Sequence, residues 1–324
     1  MPAPFDKTAF EPEPFGKFVL LQLIATGGMA DIFVAQARRP HGRRRYLVIK
    51  RLRRELADDP CFVELFLHEA KVTALLNHPN IVPIYDFGRV DRHYFIAMPW
   101  VRGPTLAEII ATGATDRLFP SGLAWEVAIQ ALEALDYAHS LKDAKGRALG
   151  LVHRDISPGN LMIDAEGKVR LLDFGIASTR GRPHPSLGRG KLAYMSPEQC
   201  REEPVDKRSD LFAVGIVLWE LLAGQSLFHR ESAAATMVAV NEAPIPLLHE
   251  LRPDIPKNLS GFIDHLLKRP LQHRPQDANL IGCLLRMAQP PARGQAWGEQ
   301  LRSYIKAHSR NHPPQASRVR RPPQ

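Results

Sequence analysis

Three short blocks of the chain hold residue types that can do chemistry. His153-Arg154-Asp155-Ile156-Ser157-Pro158-Gly159-Asn160 sets a carboxylate and a carboxamide close together. Asp173-Phe174-Gly175 follows thirteen residues after Asn160, between apolar, strand-like residues, and Ser196-Pro197-Glu198 comes later. Upstream stand Lys50, at the end of a Val-Ile-Lys run, and the pair Gly27-Gly28. Carboxylate and amide oxygens suit a hard divalent cation. A lysine offsets phosphate charge, and glycine, lacking Cβ, lets backbone N–H groups approach a ligand closely. A lone aspartate before a strand is usually a turn residue, and a lone glycine pair is weak evidence. The reading therefore rests on the whole set in its order.

These side chains need elements to hold them. Up to Met98 the chain reads as short strands, FVLLQLI, DIFVAQ, YLVIK, NIVPIYDFG and HYFIAM, rich in β-branched and aromatic residues. One helix interrupts them, CFVELFLHEAKVTALLN, with Phe62, Leu65, Phe66, Glu69, Val72 and Leu76 at helical spacing. Beyond Met98 helices dominate: WEVAIQALEALDYAHSL, SDLFAVGIVLWELLAG, SGFIDHLLKR and NLIGCLLRM. The second is apolar nearly all round, which predicts a place at the centre of its domain. The expected organisation is α+β and two-lobed. An irregular segment spans 1–14, a small antiparallel β lobe with one main helix 15–98, a connector 99–103 and a larger helical lobe 104–288. An extension, 289–324, ends in a basic Pro/Arg-rich tail, after AWGEQLRSYIKAHS, which predicts an amphipathic helix packed on the large lobe.

Composition narrows the classes further. Of 324 residues 44% are hydrophobic and 24% charged, an ordinary globular balance that excludes a disordered or fibrous chain. No stretch approaches the ~20 apolar residues of a membrane span, and the opening residues lack a signal-peptide layout. Three dispersed cysteines suit reduced thiols, so a cytoplasmic protein is expected. The net charge of +9 admits an acidic partner. The basic run Arg38 to Arg45 has little aromatic interleaving, so it reads as a solvated loop and no nucleic-acid partner is expected.

Taken in order, and joined by His78-Pro79-Asn80, the blocks resemble the eukaryotic-type (Hanks-type) serine/threonine protein kinases of bacteria, over about Phe15 to Ala288. The resemblance implies the two-lobed kinase fold and transfer of the γ-phosphate of ATP, with Mg²⁺, to protein Ser/Thr hydroxyls, autophosphorylation included. It implies that Lys50, on the third predicted strand, grips the α- and β-phosphates and is held by Glu69. Asp155 would take or orient the acceptor proton, and Asn160 and Asp173 would ligate the metal. Ile24, Ala25, Thr26, Gly27 and Gly28 would cover the phosphates. Ile32, Val48 and Met162 would sandwich adenine, with Met98 as gatekeeper and Pro99 and Val101 offering backbone groups. Asp210 would brace the catalytic loop, although an aspartate there is also an unremarkable helix cap. Glu198 and Arg274 would form a buried pair.

The chain also departs from the pattern. Ala25 and Ala30 stand where glycines are usual, which predicts weakened but retained ATP binding. Ser157 stands where a lysine is usual, and Lys191 where a threonine is usual, at two positions that touch in active kinases. This suggests an exchanged pair in which Lys191 reaches Asp155 and the γ-phosphate; the plainer alternative is a solvated lysine and a slow enzyme. A pseudokinase scaffold is the competing function. Arg154 implies a loop ordered by phosphorylation, at Ser178, Thr179 or Ser186, with Ser186 favoured. Thr105 and Gly159, where basic-directed kinases carry acids, argue against an Arg-rich target. Regulation through a separate protein is expected.

Overall fold

The computed structural model describes residues 10–37, 45–113, 118–174, 189–288 and 296–311. The basic run from Arg38 to Arg44, Gly175, the loop sites Ser178, Thr179 and Ser186, and the tail past Asn311 lie outside the described residues. The chain divides into two compact units, one built on Met1–Asn77 and Val82–Val101, the other on His78–Ile81 and Arg102–Arg310.

In the first unit, strands β1 (Glu13–Phe15), β2 (Phe18–Thr26), β3 (Ala30–Ala37) and β4 (Arg45–Leu52) precede helix α1 (Pro60–Thr73); β5 (Asp86–Val90) and β6 (His93–Pro99) follow. They form a six-stranded antiparallel sheet in the order β1-β2-β3-β4-β6-β5. Side chains alternate between its faces. Pairing of Lys50 with Ile32 and with Ile96, and of Val48 with Met98, fixes which residues share a face. Phe15, Phe18, Leu20, Phe33, Leu47, Ile49 and Phe95 pack on one side. On the other, Ala30, Leu52 and Ile96 pack with Phe66 and Ala70 of α1. The Asp59 carboxylate accepts from the Cys61 N–H and Pro60 opens α1, a chemically ordinary helix start.

Two expectations are corrected here. The segment to Pro14 is not irregular throughout, because Glu13 and Pro14 pair with Leu20 and Val19; Lys50 consequently lies on the fourth strand. NIVPIYDFG is not one strand, since only Asp86–Val90 pairs as named. Its first residues bond elsewhere: Asn80 Nδ2 donates to Gln130 Oε1 (2.8 Å) and to the Val169 carbonyl (2.9 Å), and the Asn80 carbonyl accepts from the Leu171 N–H. Those bonds are why His78–Ile81 belong to the second unit.

The second unit runs α2 (Leu106–Gly113), α3 (Ser121–His139), the hairpin β7 (Leu161–Ile163) and β8 (Val169–Leu171), then α4 (Pro197–Cys200) and α5 (Lys207–Ala223). Helices α6 (Ala233–Glu242), α7 (Leu248–Leu251), α8 (Lys257–Leu266), α9 (Ala278–Ala288) and α10 (Trp297–Asn311) complete it. Every residue of α5 from Ser209 to Leu222 is buried, so this helix is the axis of the unit. Asp206, not Asp210, caps it, accepting from the Arg208 N–H, and Gly224 ends it in the left-handed region at φ 67°. Helix α10 docks through buried Leu301 and Ile305 and an edge-on contact of Tyr304 with Phe119. Gly167, at φ 78°, leaves room for its backbone: a Cβ there would lie 2.4 Å from the Gly298 carbonyl oxygen.

Candidate active site

The first unit carries one half of the predicted residues. Lys50 shares the α1 face of the sheet with Leu52, and its ammonium meets the Glu69 carboxylate at 2.6 Å with both side chains 11% exposed. Period two on β4 and helical spacing on α1 make that meeting. Ile32, Val48 and Met98 occupy the same face as Lys50, so the first unit's residues assigned to adenine share a face with the residue assigned to phosphate. Pro99 ends β6 opposite Leu47, and Val101 follows it, half-buried.

At the β2–β3 turn Thr26 pairs with Asp31, and the Gly27 N–H donates to the Ala30 carbonyl at 2.8 Å. Ala25, Thr26, Gly27 and Gly28 are exposed there. The register shifts between Leu23 and Ala25, a bulge that re-aims Ile24. Ala30 has a role that the motif comparison did not reveal. Its methyl is buried against Leu52, Phe66, Ala70 and Ile96, so the alanine is a core residue. A polar cavity of about 420 Å³, lined by Arg51, Arg53, Arg54, Glu13, Asp31 and Glu55 among others, is charge-balanced and holds none of the predicted residues but Thr26.

The second unit carries the rest. Asp155 Oδ2 accepts from Asn160 Nδ2 (3.0 Å) and from Lys191 Nζ, and Asn160 Nδ2 also donates to the Asp155 carbonyl (2.7 Å). The Asn160 carbonyl accepts from the Leu172 N–H at 2.9 Å, tying this loop to the residue before Asp173. Ser157 is buried and makes no hydrogen bond to Lys191 among the described residues, so only the lysine's half of the exchange has a contact. Met162, half-buried on β7, faces Arg170 and bridges to Thr105.

Asp210 fixes the loop from below. Its carboxylate accepts from the His153 and Arg154 N–H groups and bonds His139 Nε2, each at 2.8 Å. Arg154 at φ 66° turns the chain so that successive N–H groups converge on that carboxylate, and Asp173 stands at φ 37°. Such conformations cost energy and persist where surrounding bonds enforce them. Burial alone would raise the Asp210 carboxyl, but the His139 hydrogen bond, the imidazoles and the Arg154 N–H outweigh it and hold it below the ordinary range. Burial holds the His153 imidazole below the usual histidine range. His153 takes the Asp155 N–H at Nδ1 and faces the Leu172 carbonyl with Nε2.

Residues 189–200 are anchored to this base. Tyr194 Oη donates to Glu220 Oε2 (2.7 Å), and Gln199 Nε2 donates to the Arg154 carbonyl (3.0 Å). Arg274 donates to both Glu198 oxygens, at 2.7 and 2.6 Å, with both side chains fully buried.

The donor set fits a small hard cation. The Asn160 amide nitrogen is committed to Asp155, so its carboxamide oxygen is the atom it could offer a cation, and the Asp173 carboxylate would supply the second protein oxygen. Two protein oxygens suffice where phosphates and waters complete the shell. No cluster of three His, Cys, Asp or Glu side chains able to hold a metal exists among the described residues. Sequence reasoning missed His139, Gln130, Gln199 and Glu220. The approach of Gln130 to Asn80 across fifty positions leaves no local signal.

The protein kinase domain model matches residues 18–282. The chain is 37% identical over 269 residues to the tyrosine-protein kinase MasK of Myxococcus xanthus, covering 82% of this chain and 41% of that protein. It is 36% identical over 266 residues to the serine/threonine-protein kinase PrkC of Bacillus subtilis, covering 81% and 39%. It therefore spans about two-fifths of the length of these relatives. Among solved structures, the Mycobacterium tuberculosis PknI kinase domain superposes with a TM-score of 0.64 at 25% identity, covering 85% of this chain and 97% of that one. The chain belongs to the protein kinase family, and within it to the eukaryotic-type class of these bacterial relatives.

Proposed function

We propose that the chain transfers the γ-phosphate of ATP to serine and threonine hydroxyls of proteins, its own included. The observation that carries this is Asp155, partly exposed, hydrogen-bonded by Asn160 and Lys191, on a loop whose N–H groups Asp210 holds. A group so placed can accept the acceptor hydroxyl's proton. Lys50, steadied by Glu69, would hold the α- and β-phosphates, and Ile32, Val48, Met98 and Met162 would flank adenine. Asn160 and Asp173 would hold Mg²⁺, which neutralises phosphate charge when bound. The intact Lys50–Glu69 pair speaks against a pseudokinase. Free Cys61, Cys200 and Cys283 suit a reducing cytoplasm, and a separate regulatory protein would supply the input.

A second reading, tyrosine as acceptor, has the name of the Myxococcus relative in its favour. Incubation with γ-labelled ATP and a general protein substrate, followed by phosphoamino-acid analysis, separates the two. Phosphoserine and phosphothreonine, abolished in Asp155→Asn, are the expected result. Phosphotyrosine alone refutes the acceptor, and equal transfer by the variant refutes the site.

A further inference from the structure

We propose that Lys191 is a catalytic residue, and that the 189–194 turn, by carrying it, makes phosphoryl transfer conditional on its own docking. The inference rests on the kinase reading above. Between Asp155 and Asn160 the loop reads Ile-Ser-Pro-Gly, so it has no cation of its own to set against a transferring phosphoryl group. Ser157 is buried and gives its carbonyl to the Asn160 N–H at 3.0 Å. The cation reaching Asp155 among the described residues comes from 36 positions downstream. Its side chain is 43% exposed and that of Asp155 19%, so the pair faces space that a substrate can enter.

In the transfer step the acceptor oxygen bonds to the γ-phosphorus and the bond to the β-phosphate bridging oxygen breaks, its electron pair leaving with ADP. The hydroxyl proton passes to the Asp155 carboxylate. Lys191 takes no part in the proton transfer and offsets charge on the transferred group. Its place depends on the anchors that follow it: Tyr194 on Glu220, Gln199 on the Arg154 carbonyl and Glu198 on Arg274. A cation on the catalytic loop would always be present. A cation on this turn arrives only when the turn is seated, so seating is itself a switch.

The test uses the full chain, with steady-state transfer to a protein substrate, nucleotide binding and thermal unfolding measured for each variant. Lys191→Met should lose about 100-fold in kcat with the KM for ATP within threefold, and Lys191→Arg should retain more than a tenth of the parent rate. In Ser157→Lys/Lys191→Thr, moving the charge onto the loop should restore at least tenfold over Lys191→Thr, which a merely structural lysine would not permit. Parental kcat in Lys191→Met, a loss lying in KM, or a folded double variant no better than the single overturns the proposal. Should the double variant fail to fold, the kcat against KM division in Lys191→Met decides alone. A parent chain that binds nucleotide yet transfers nothing refutes the kinase reading and this proposal with it, whereas an active parent with an unimpaired Lys191→Met refutes only the latter.

Discussion

Two ion pairs of the second unit are built oppositely. Glu198 and Arg274 are wholly buried, bonded through both carboxylate oxygens, and Arg274 spends its other N–H groups on the Lys268, Arg208 and Arg269 carbonyls with its face on Phe212. Lys191 and Asp155 meet through one oxygen, in reach of solvent. The first has every hydrogen-bonding group satisfied, which a buried pair requires if it is not to cost more than it gains. The second leaves capacity unspent on both sides. Complete satisfaction marks scaffold, and accessible incompleteness marks a place where a ligand can enter.

The largest expected effect breaks the scaffold pair. Arg274→Met leaves the Glu198 carboxylate buried without its cation, at a cost of about 3–5 kcal/mol. Urea unfolding measures it, and a loss below about 1 kcal/mol would show that the pair is not the clamp described. Glu198→Gln in the same chain should recover part of the loss, because it removes the unpaired charge.

A smaller effect concerns acid. Burial would raise Glu198, but Arg274 and Ser209 outweigh it, so like Asp210 it is held below its ordinary range. Carboxyls depressed on folding contribute stability that is complete above their unfolded values, 4.5 and 3.8, and lost as pH falls through the lower folded ones. His153, depressed from 6.5, adds an earlier loss, because the unfolded chain takes up that proton first. Stability should therefore decline in two stages on acidification. Asp210→Asn should flatten the second stage by on the order of 1 kcal/mol in unfolding measured from pH 7 to 3. An unchanged acid limb would mean that the loop N–H groups do not depend on that carboxylate.

What the sequence made legible follows the range of the interactions. The Lys50–Glu69 meeting was readable through the resemblance, which supplied the pair; the strand and helix periodicities explain how the two side chains reach one layer once folded. Asp210 was readable only as a motif position. Its local neighbours suggested a cap, which Asp206 provides, while its partners His153 and Arg154 lie 57 and 56 positions away. His139 and Gln199 were illegible for that reason: their bonds to Asp210 and to the Arg154 carbonyl exist only once the chain has closed. Helix α10 lies beyond the 18–282 span of the family model, yet its amphipathic pattern alone announced it.

The smallest effect separates the two kinds of departure from the family pattern. Ala30 and Ser157 both stand where the pattern has another residue; Ala30 packs in the core, whereas Ser157 is accounted for only by the proposal that Lys191 supplies the missing cation. Ala30→Gly restores the motif while removing a methyl from the Leu52, Phe66, Ala70 and Ile96 cluster and loosening the backbone. It should cost about 1 kcal/mol of stability. ATP affinity, read by titration with a fluorescent nucleotide, should stay within twofold, because the methyl points into the core and the Gly27 amide already closes the turn on the Ala30 carbonyl. A variant that binds ATP several-fold more tightly would place the alanine among the phosphate contacts rather than in the core.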